Sequence, residues 1–314
     1  LIRQGQMDTV DLLTFTLYIA SFVTPIRKLA NFSELYANGT AGFERFLEIM
    51  RTEPELRDAP DAVDLGRPRG EIGVNDVSFS YEGDLAVLHD VSLQIPAGQT
   101  VAIVGPSGGG KSTLCQLIPR FYEASSGQIS LYGQDIRTLR PSSVRGHIGV
   151  VSQKATVFSG TLLSNMRWRK KDADEAEIYR ALDTAQAREF VESKGEGLSL
   201  RIERGGGNLS GGQKQRLTIA RALVRKPELL ILDDSASALD FATDAALRKA
   251  LAHLPWKPTV VLISQRVSSI RHADQILVLD DGRLAGTGTH DELLQSCPVY
   301  QEICRSQYKK EDAQ

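Results

Sequence analysis

Hydrophobic residues recur along this 314-residue chain in two rhythms, separated by a break. The first rhythm is long and helical. Residues 12–26 carry no charge, Asp11 stands before them, and Arg27 and Lys28 follow. Phe43, Phe46, Leu47 and Met50 then recur at helical spacing, which extends the helical pattern through residues 27–50. Read as one helix, residues 12–50 would run roughly 55–60 Å at about 1.5 Å per residue, so the second half would project beyond a hydrocarbon core of about 30 Å. The uncharged run alone is shorter than the about 20 apolar residues usual for a span, and a buried core helix is the competing reading. Arg27 and Lys28 sit where a cytoplasmic membrane edge would place them, and Pro25 disturbs a membrane helix less than a soluble one.

The break covers residues 51–70. Pro54, Pro60 and Pro68, mixed charges and weak periodicity predict a linker between residues 1–50 and a domain over residues 71–306. The second rhythm begins at Glu71. Val91, Leu93 and Ile95 alternate, Pro96-Ala97-Gly98 makes a turn, and Thr100–Val104 reads as a buried strand. Further strands are predicted at His147–Val151, Leu229–Asp233, Thr259–Ile263 and Gln275–Leu279, and one helix at Glu175–Phe190. Helical patterns fill most of the gaps, and this alternation predicts an α/β fold with a largely parallel core sheet. Asp281-Gly282 suits a hairpin turn, Thr289 and Glu292 have capping-box spacing for the last helix, and residues 307–314 form a polar tail.

Composition narrows the class. Charged residues make up 24% and hydrophobic ones 41%, the balance of a folded protein. A net charge of -2 gives no electrostatic reason to expect nucleic acid. Cys115, Cys297 and Cys304 have no metal-ligand or redox spacing, and they read as packing residues in a reducing compartment. The sequence starts without methionine or a signal peptide, which suggests the C-terminal portion of something longer.

The chemistry begins at Gly105-Pro106-Ser107-Gly108-Gly109-Gly110-Lys111-Ser112, followed by Thr113, which fits G-x-x-x-x-G-K-[ST]. A strand precedes it, and Leu114, Leu117, Ile118 and Phe121 follow with the spacing of one helix face. Strand, glycine-rich loop and helix together make a phosphate site, whereas a chance glycine turn would lack those flanks. Backbone N–H groups crowd round an anion, the helix N-terminus adds its dipole, and Lys111 adds a full charge. The Ser112 hydroxyl suits Mg²⁺. Leu229–Asp233 then leads into Asp234, an apolar strand ending in two carboxylates. In a P-loop fold the first of these holds Mg²⁺, although many unrelated strands also end in acids. Leu209-Ser210-Gly211-Gly212-Gln213 opens a helix whose apolar face runs through Leu217, Ala220 and Leu223. It reads either as a second anion-directed helix end or as a plain glycine-rich cap.

The order Gly105–Ser112, Gln153, Leu209–Gln213, Leu229–Asp234, Ser237-Ala238-Leu239-Asp240 and Gln265 resembles the nucleotide-binding domain of ABC transporters over roughly residues 71–300. The first seventy residues resemble the last membrane helix and cytosolic extension of a fused exporter, with Phe43-Glu44-Arg45-Phe46 at the junction. The resemblance implies a P-loop ATPase with a parallel core sheet, an antiparallel β subdomain and a helical subdomain. It further implies Mg-ATP as cofactor and a second half-transporter subunit as partner. The protein would sit in the cell membrane, its nucleotide domain on the cytoplasmic side, and move a transported substrate.

Position by position, the resemblance puts Tyr81 against adenine and the phosphate loop, Gly105–Thr113, around the phosphates. Ser112, Gln153 and Asp233 fall at Mg²⁺. Ser210, Gly211, Gly212 and Gln213 would meet nucleotide held by the partner, Asp240 would sit at the dimer interface, and Glu203-Arg204-Gly205 would touch coupling helices.

Two positions depart from the family pattern. Asp234 replaces the usual glutamate that orients or deprotonates the attacking water, and Gln265 replaces the usual histidine at the γ-phosphate. Aspartate is one methylene shorter, a shortfall on the order of 1–1.5 Å that can cost about a hundredfold. Glutamine donates a hydrogen bond but carries no positive charge. Together they resemble the degenerate site of heterodimeric exporters. A homodimeric exporter using Asp234 as its base is the alternative. A soluble ABC protein acting on DNA or ribosomes fits the uncharged run at 12–26 poorly.

Overall fold

The computed structural model describes residues 7–54, 56–66, 71–81 and 85–311. Contacts divide the chain into two units, one ending at Arg57 and one beginning at Asp58. The first is a single helix, α1 (Thr9–Arg51). Asp8 caps it, and the Asp11 side chain accepts from the Asp8 N–H at 3.0 Å, which closes a capping box. Its 43 residues correspond to about 65 Å of helix, with Pro25 inside and no buried residue. A window of mean hydropathy 1.5 makes α1 long and apolar enough to cross a membrane.

In the second unit, β1 (Ile72–Ser80), β2 (Ala86–Ile95) and β3 (Thr100–Val104) lead into α2 (Lys111–Leu117). Next come β4 (Ser126–Leu131), β5 (Gln134–Asp135), α3 (Pro141–His147) and β6 (Ile148–Val151). The chain continues through β7 (Gly160–Thr161), α4 (Leu162–Met166), α5 (Glu175–Thr184), α6 (Arg188–Ser193), β8 (Arg201–Ile202) and α7 (Gly211–Leu223). It closes with β9 (Leu229–Asp233), α8 (Phe241–Ala252), β10 (Thr259–Ile263), α9 (Val267–Ile270), β11 (Gln275–Asp280), β12 (Arg283–Gly288), α10 (His290–Ser296) and α11 (Pro298–Glu311).

The core sheet has the order β12-β11-β3-β10-β9-β6. Its strands from β11 to β6 pair in parallel, and β12 adds an antiparallel edge. An antiparallel sheet, β2-β1-β4-β5, stands apart. The predicted α/β fold with a parallel core, an antiparallel β subdomain and a helical subdomain is therefore present. Period-2 alternation divides each central strand between two cores. Ala102, Leu230, Leu232, Val260 and Leu262 face one cluster with the helices α4–α7. Val101, Ile103, Leu229, Ile231, Val261 and Ile263 face the other, with α2 and the antiparallel sheet. Strands buried on both faces read as unbroken apolar runs, which is why they stood out in the sequence.

Several predicted bounds change. The single helix at Glu175–Phe190 is two, α5 and α6, because Gln186 takes the left-handed conformation at φ 56°. The Ala187 N–H bonds to Leu182 O and the Gln186 N–H to Asp183 O, the paired bonds of a helix C-cap normally given to glycine. His147 ends α3 and does not start β6. Leu114, Leu117 and Ile118 are buried as the helix face predicts, but α2 ends before Phe121, which is 43% exposed. In the expected linker, Ala62 and Leu65 are buried, and Val63 bridges to Leu139. The expected polar tail begins inside α11, where Gln307 Oε1 accepts from the Val267 N–H at 2.7 Å. Asp281 and Gly282 both have positive φ, 44° and 71°, as a two-residue type I′ hairpin turn requires, and Thr289 and Glu292 do form a capping box.

Candidate nucleotide site

The loop between β3 and α2 is shaped by close backbone approach. Gly105 has φ 152°, and a Cβ there would lie 1.9 Å from Leu279 O on β11. A Cβ on Gly110, the left-handed N-cap of α2 at φ 88°, would lie 2.5 Å from the Leu88 side chain. These two glycines are thus required by sterics, independently of any ligand. Gly108 also has positive φ, and the Gly109 N–H donates to Pro106 O at 3.2 Å. Ser107 is exposed at the loop's crest.

Lys111 is the charge inside this loop. Its side chain is buried, and Nζ donates to Gly105 O at 3.1 Å and Pro106 O at 2.6 Å. Burial holds the ammonium below the usual lysine range, against the opposing pull of Asp233 and Asp234. Next to it, Ser112 Oγ donates to Asp233 Oδ1 at 2.9 Å, which joins the start of α2 to the end of β9. Burial raises the Asp233 carboxyl above its ordinary value, opposed by the Ser112 hydrogen bond and the charge of Lys111. Asp234 is raised by burial and then by the charge of Asp233, with Gln153, Arg266 and Lys111 acting the other way. Gln153, two residues past β6, donates through Nε2 to Asp234 Oδ2 at 3.3 Å. Asp234 stands at φ 45°, a left-handed conformation in which aspartate is enriched over most residues. Its N–H is held by Ile263 O at 3.0 Å.

Tyr81 OH lies 3.1 Å from Thr113 Oγ1 and donates to Gln116 Oε1 at 3.2 Å. Its ring meets Phe79 and Tyr122 edge to face. The structure therefore gathers Tyr81, residues 105–113, Gln153, Asp233 and Asp234. Gln265 is exposed just beyond β10. Ser210–Gln213 forms a capping box at the start of α7, Ser210 Oγ accepting from the Gln213 N–H and Gln213 Oε1 from the Ser210 N–H. Among the described residues no hydrogen bond or ion pair joins that segment to the phosphate loop. Asp240 caps α8 through bonds from Thr243 N–H and Oγ1, and the first of these is the main cause of its lowered pKa.

Sequence reasoning missed Arg266. Its guanidinium donates to Leu239 O at 2.8 Å and Ser237 O at 2.9 Å and lies over the Phe241 ring. It thereby ties the segment after β10 to the segment after β9. Both acceptors are carbonyls, which any residue supplies, so no side-chain pattern marked the link.

The ABC transporter family profile matches residues 88–237, from within β2 to four residues past β9. This chain carries an ABC transporter ATPase domain. ABC domains bind ATP, and here the match takes in both the phosphate loop and Asp233. The chain is 42% identical over 305 residues to the ABC transporter ATP-binding protein YwjA of Bacillus subtilis (strain 168), covering 97% of this chain and 53% of that protein. It is 38% identical over 297 residues to an ATP-dependent lipid A-core flippase of Desulfotalea psychrophila, covering 94% and 52%. A solved structure of a bacterial Atm1-family ABC exporter with ATP bound superposes with TM-score 0.84 at 34% identity, over 95% of this chain and 52% of that one. The chain thus spans about half the length of the curated relatives it matches.

Replacing Lys111 with Ala leaves the loop without its one full charge and should remove most ATP affinity, since charge-assisted bonds are about twice as strong as neutral ones. Direct titration of ATP checks this, and unchanged affinity would contradict it.

Proposed function

We propose that this chain is the ATP-binding half of an ABC exporter. Its own site holds Mg-ATP but hydrolyses it slowly, and its α7 N-terminus completes the site of a partner half-transporter. The observation that carries the reading is the pair Asp234 and Gln265. The shorter carboxylate is held toward Gln153, on a left-handed backbone that suits aspartate, and an uncharged side chain follows β10. The phosphate loop and Asp233 keep the features that bind nucleotide. Ser112, Asp233 and Gln153 are the residues that would hold Mg²⁺. The Ser112–Asp233 bond at 2.9 Å and the adjacent Gln153–Asp234 contact form a compact oxygen-rich donor set of the hard kind that ion prefers. When bound, the ion offsets charge on the phosphates. Tyr81 offers its ring to the adenine, with its hydroxyl anchored on α2.

Exposed along its length and apolar, α1 is read as the final membrane helix, with the ATPase domain on the cytoplasmic side. The reading extends to export of a multidrug or lipid type of substrate, and the name of the lipid A-core flippase relative supports the lipid type. A homodimer with Asp234 as base is the second reading. It is favoured by one fact: burial beside Asp233 raises the Asp234 carboxyl, and a raised pKa makes a stronger base.

Two variants measured in the assembled transporter separate these readings. Asp234→Asn should lower total ATPase little in a heterodimer whose other site does the work. Near-complete loss would favour the homodimer. Gly211→Asp should abolish partner-site hydrolysis, because it puts a negative charge at a helix end built to attract anions. A Cβ at Gly211 meets nothing within 4 Å, so the fold should tolerate the change, and the loss would report the interface. Retained ATPase in Gly211→Asp would contradict the proposed role of α7.

A further inference from the structure

The segment 234–240 leaves β9 at Asp234 and reaches α8 at Asp240. Its own turns are local. The Ser237 N–H and Oγ both donate to Asp234 O, at 3.2 and 2.8 Å, and the Leu239 N–H donates to Ala236 O at 3.0 Å. Those bonds shape the turns, and two further contacts set where the segment lies. On one side the Arg266 guanidinium donates to Leu239 O at 2.8 Å and to Ser237 O at 2.9 Å, 5.1 Å from the centre of the Phe241 ring. On the other side lies the first turn of α7. A Cβ on Gly212 would stand 3.0 Å from Ala238 O and 3.9 Å from the Leu239 side chain. At such close packing the Ala238 carbonyl acts as a stop for the α7 N-terminus.

The backbone around Arg266 is itself held from two directions. The Arg266 N–H donates to the Oγ of buried Ser264 at 3.1 Å, and the next N–H, of Val267, donates to Gln307 on α11 at 2.7 Å. A guanidinium is a rigid planar fork, so it can pass that fixed position to two carbonyls at once, which an ammonium on a flexible stem cannot.

We propose that Arg266 is a positioning residue for the partner's ATP site: it sets residues 237–239, and these set the α7 N-terminus that meets the partner's nucleotide. The inference rests on the role of α7 proposed above and adds the residue that keeps that helix end in place. Arg266 also acts on Asp234 as a favourable charge, which makes an electrostatic role at this chain's own site the competing account. Lysine could fill that role, but not the bridging one.

The test compares Arg266→Lys, which keeps the charge but loses the fork, with Arg266→Met, which keeps the stem and no donor. In the assembled transporter both should lower kcat for ATP on the order of ten- to a hundredfold, as a catalytic group misplaced by about 1 Å does. KM should stay unchanged, because the partner's own phosphate loop holds the nucleotide. Full kcat in Arg266→Lys, or a loss confined to KM, would overturn the proposal. Hydrogen exchange of the purified full-length protein, followed by mass spectrometry, gives a second readout. In both variants, peptides covering residues 208–213 and 235–240 should exchange faster, while β3, β9 and β10 keep their protection. Unchanged exchange at 208–213 would also overturn the proposal, and so would faster exchange throughout the sheet, which would make the role one of general stability. Gly211→Asp separates the two readings. If it retains ATPase, the role of α7 fails; if it abolishes ATPase while the Arg266 variants keep full kcat, only the role of Arg266 fails.

Discussion

The parallel registration of β3 between β10 and β11 is the constraint on which the site depends. It brings Leu279 O so close to Gly105 that no side chain fits there, and so forces the chain to leave β3 as a bare glycine loop. Because β10 also pairs in register with β9, the same alignment delivers Asp233 to the level of Ser112. Open α/β sheets place ligands at the carboxyl ends of such strands because there the loops and helix N-termini converge. The two cores, one on each face of the sheet, fix this alignment. Each central strand is buried on both sides and cannot slip by one residue without exchanging its faces.

Charge within that frame is arranged at a cost in solvation. Lys111, Asp233 and Asp234 are all shifted toward their neutral forms by burial, and Asp234 also by the charge of Asp233; the attraction between Lys111 and the two carboxylates and the Ser112 and Gln153 bonds work against that. Lys111 satisfies its ammonium on the loop's own carbonyls. A triphosphate would offer it a stronger partner. Arg266 adds a mechanical link: by bonding Ser237 O and Leu239 O it ties the segment after β10 to the segment after β9.

Much of this was legible in the sequence, for physical reasons. The β3–loop–α2 unit stood out because glycines, an apolar strand and a helical face must all coincide there. The central strands stood out because burial on both faces leaves no polar positions. The break at Gln186 was hidden, since its left-handed backbone is one that sequence patterns assign to glycine. Phe121 misled because its spacing continued a helix that Arg120 ends at φ 52°. The helical start of the tail was hidden because one bond, from Val267 N–H to Gln307, anchors a polar stretch. Arg266 acts through carbonyls and left no trace in residue identity. The roles of Asp234 and Gln265 rest on comparison with a family pattern, since nothing in an isolated aspartate or glutamine announces a weakened site.

The most direct test of the slow-site reading is single-turnover hydrolysis resolved by chain. ATP carrying a photoreactive azide is bound to the assembled transporter and crosslinked at intervals, and the nucleotide on each chain is identified as ATP or ADP. This chain should retain ATP while its partner's label converts to ADP. Asp234→Glu combined with Gln265→His should speed conversion on this chain, toward the roughly 10²–10⁴ that a positioned base supplies. ADP appearing on the unaltered chain as fast as on its partner would contradict the account.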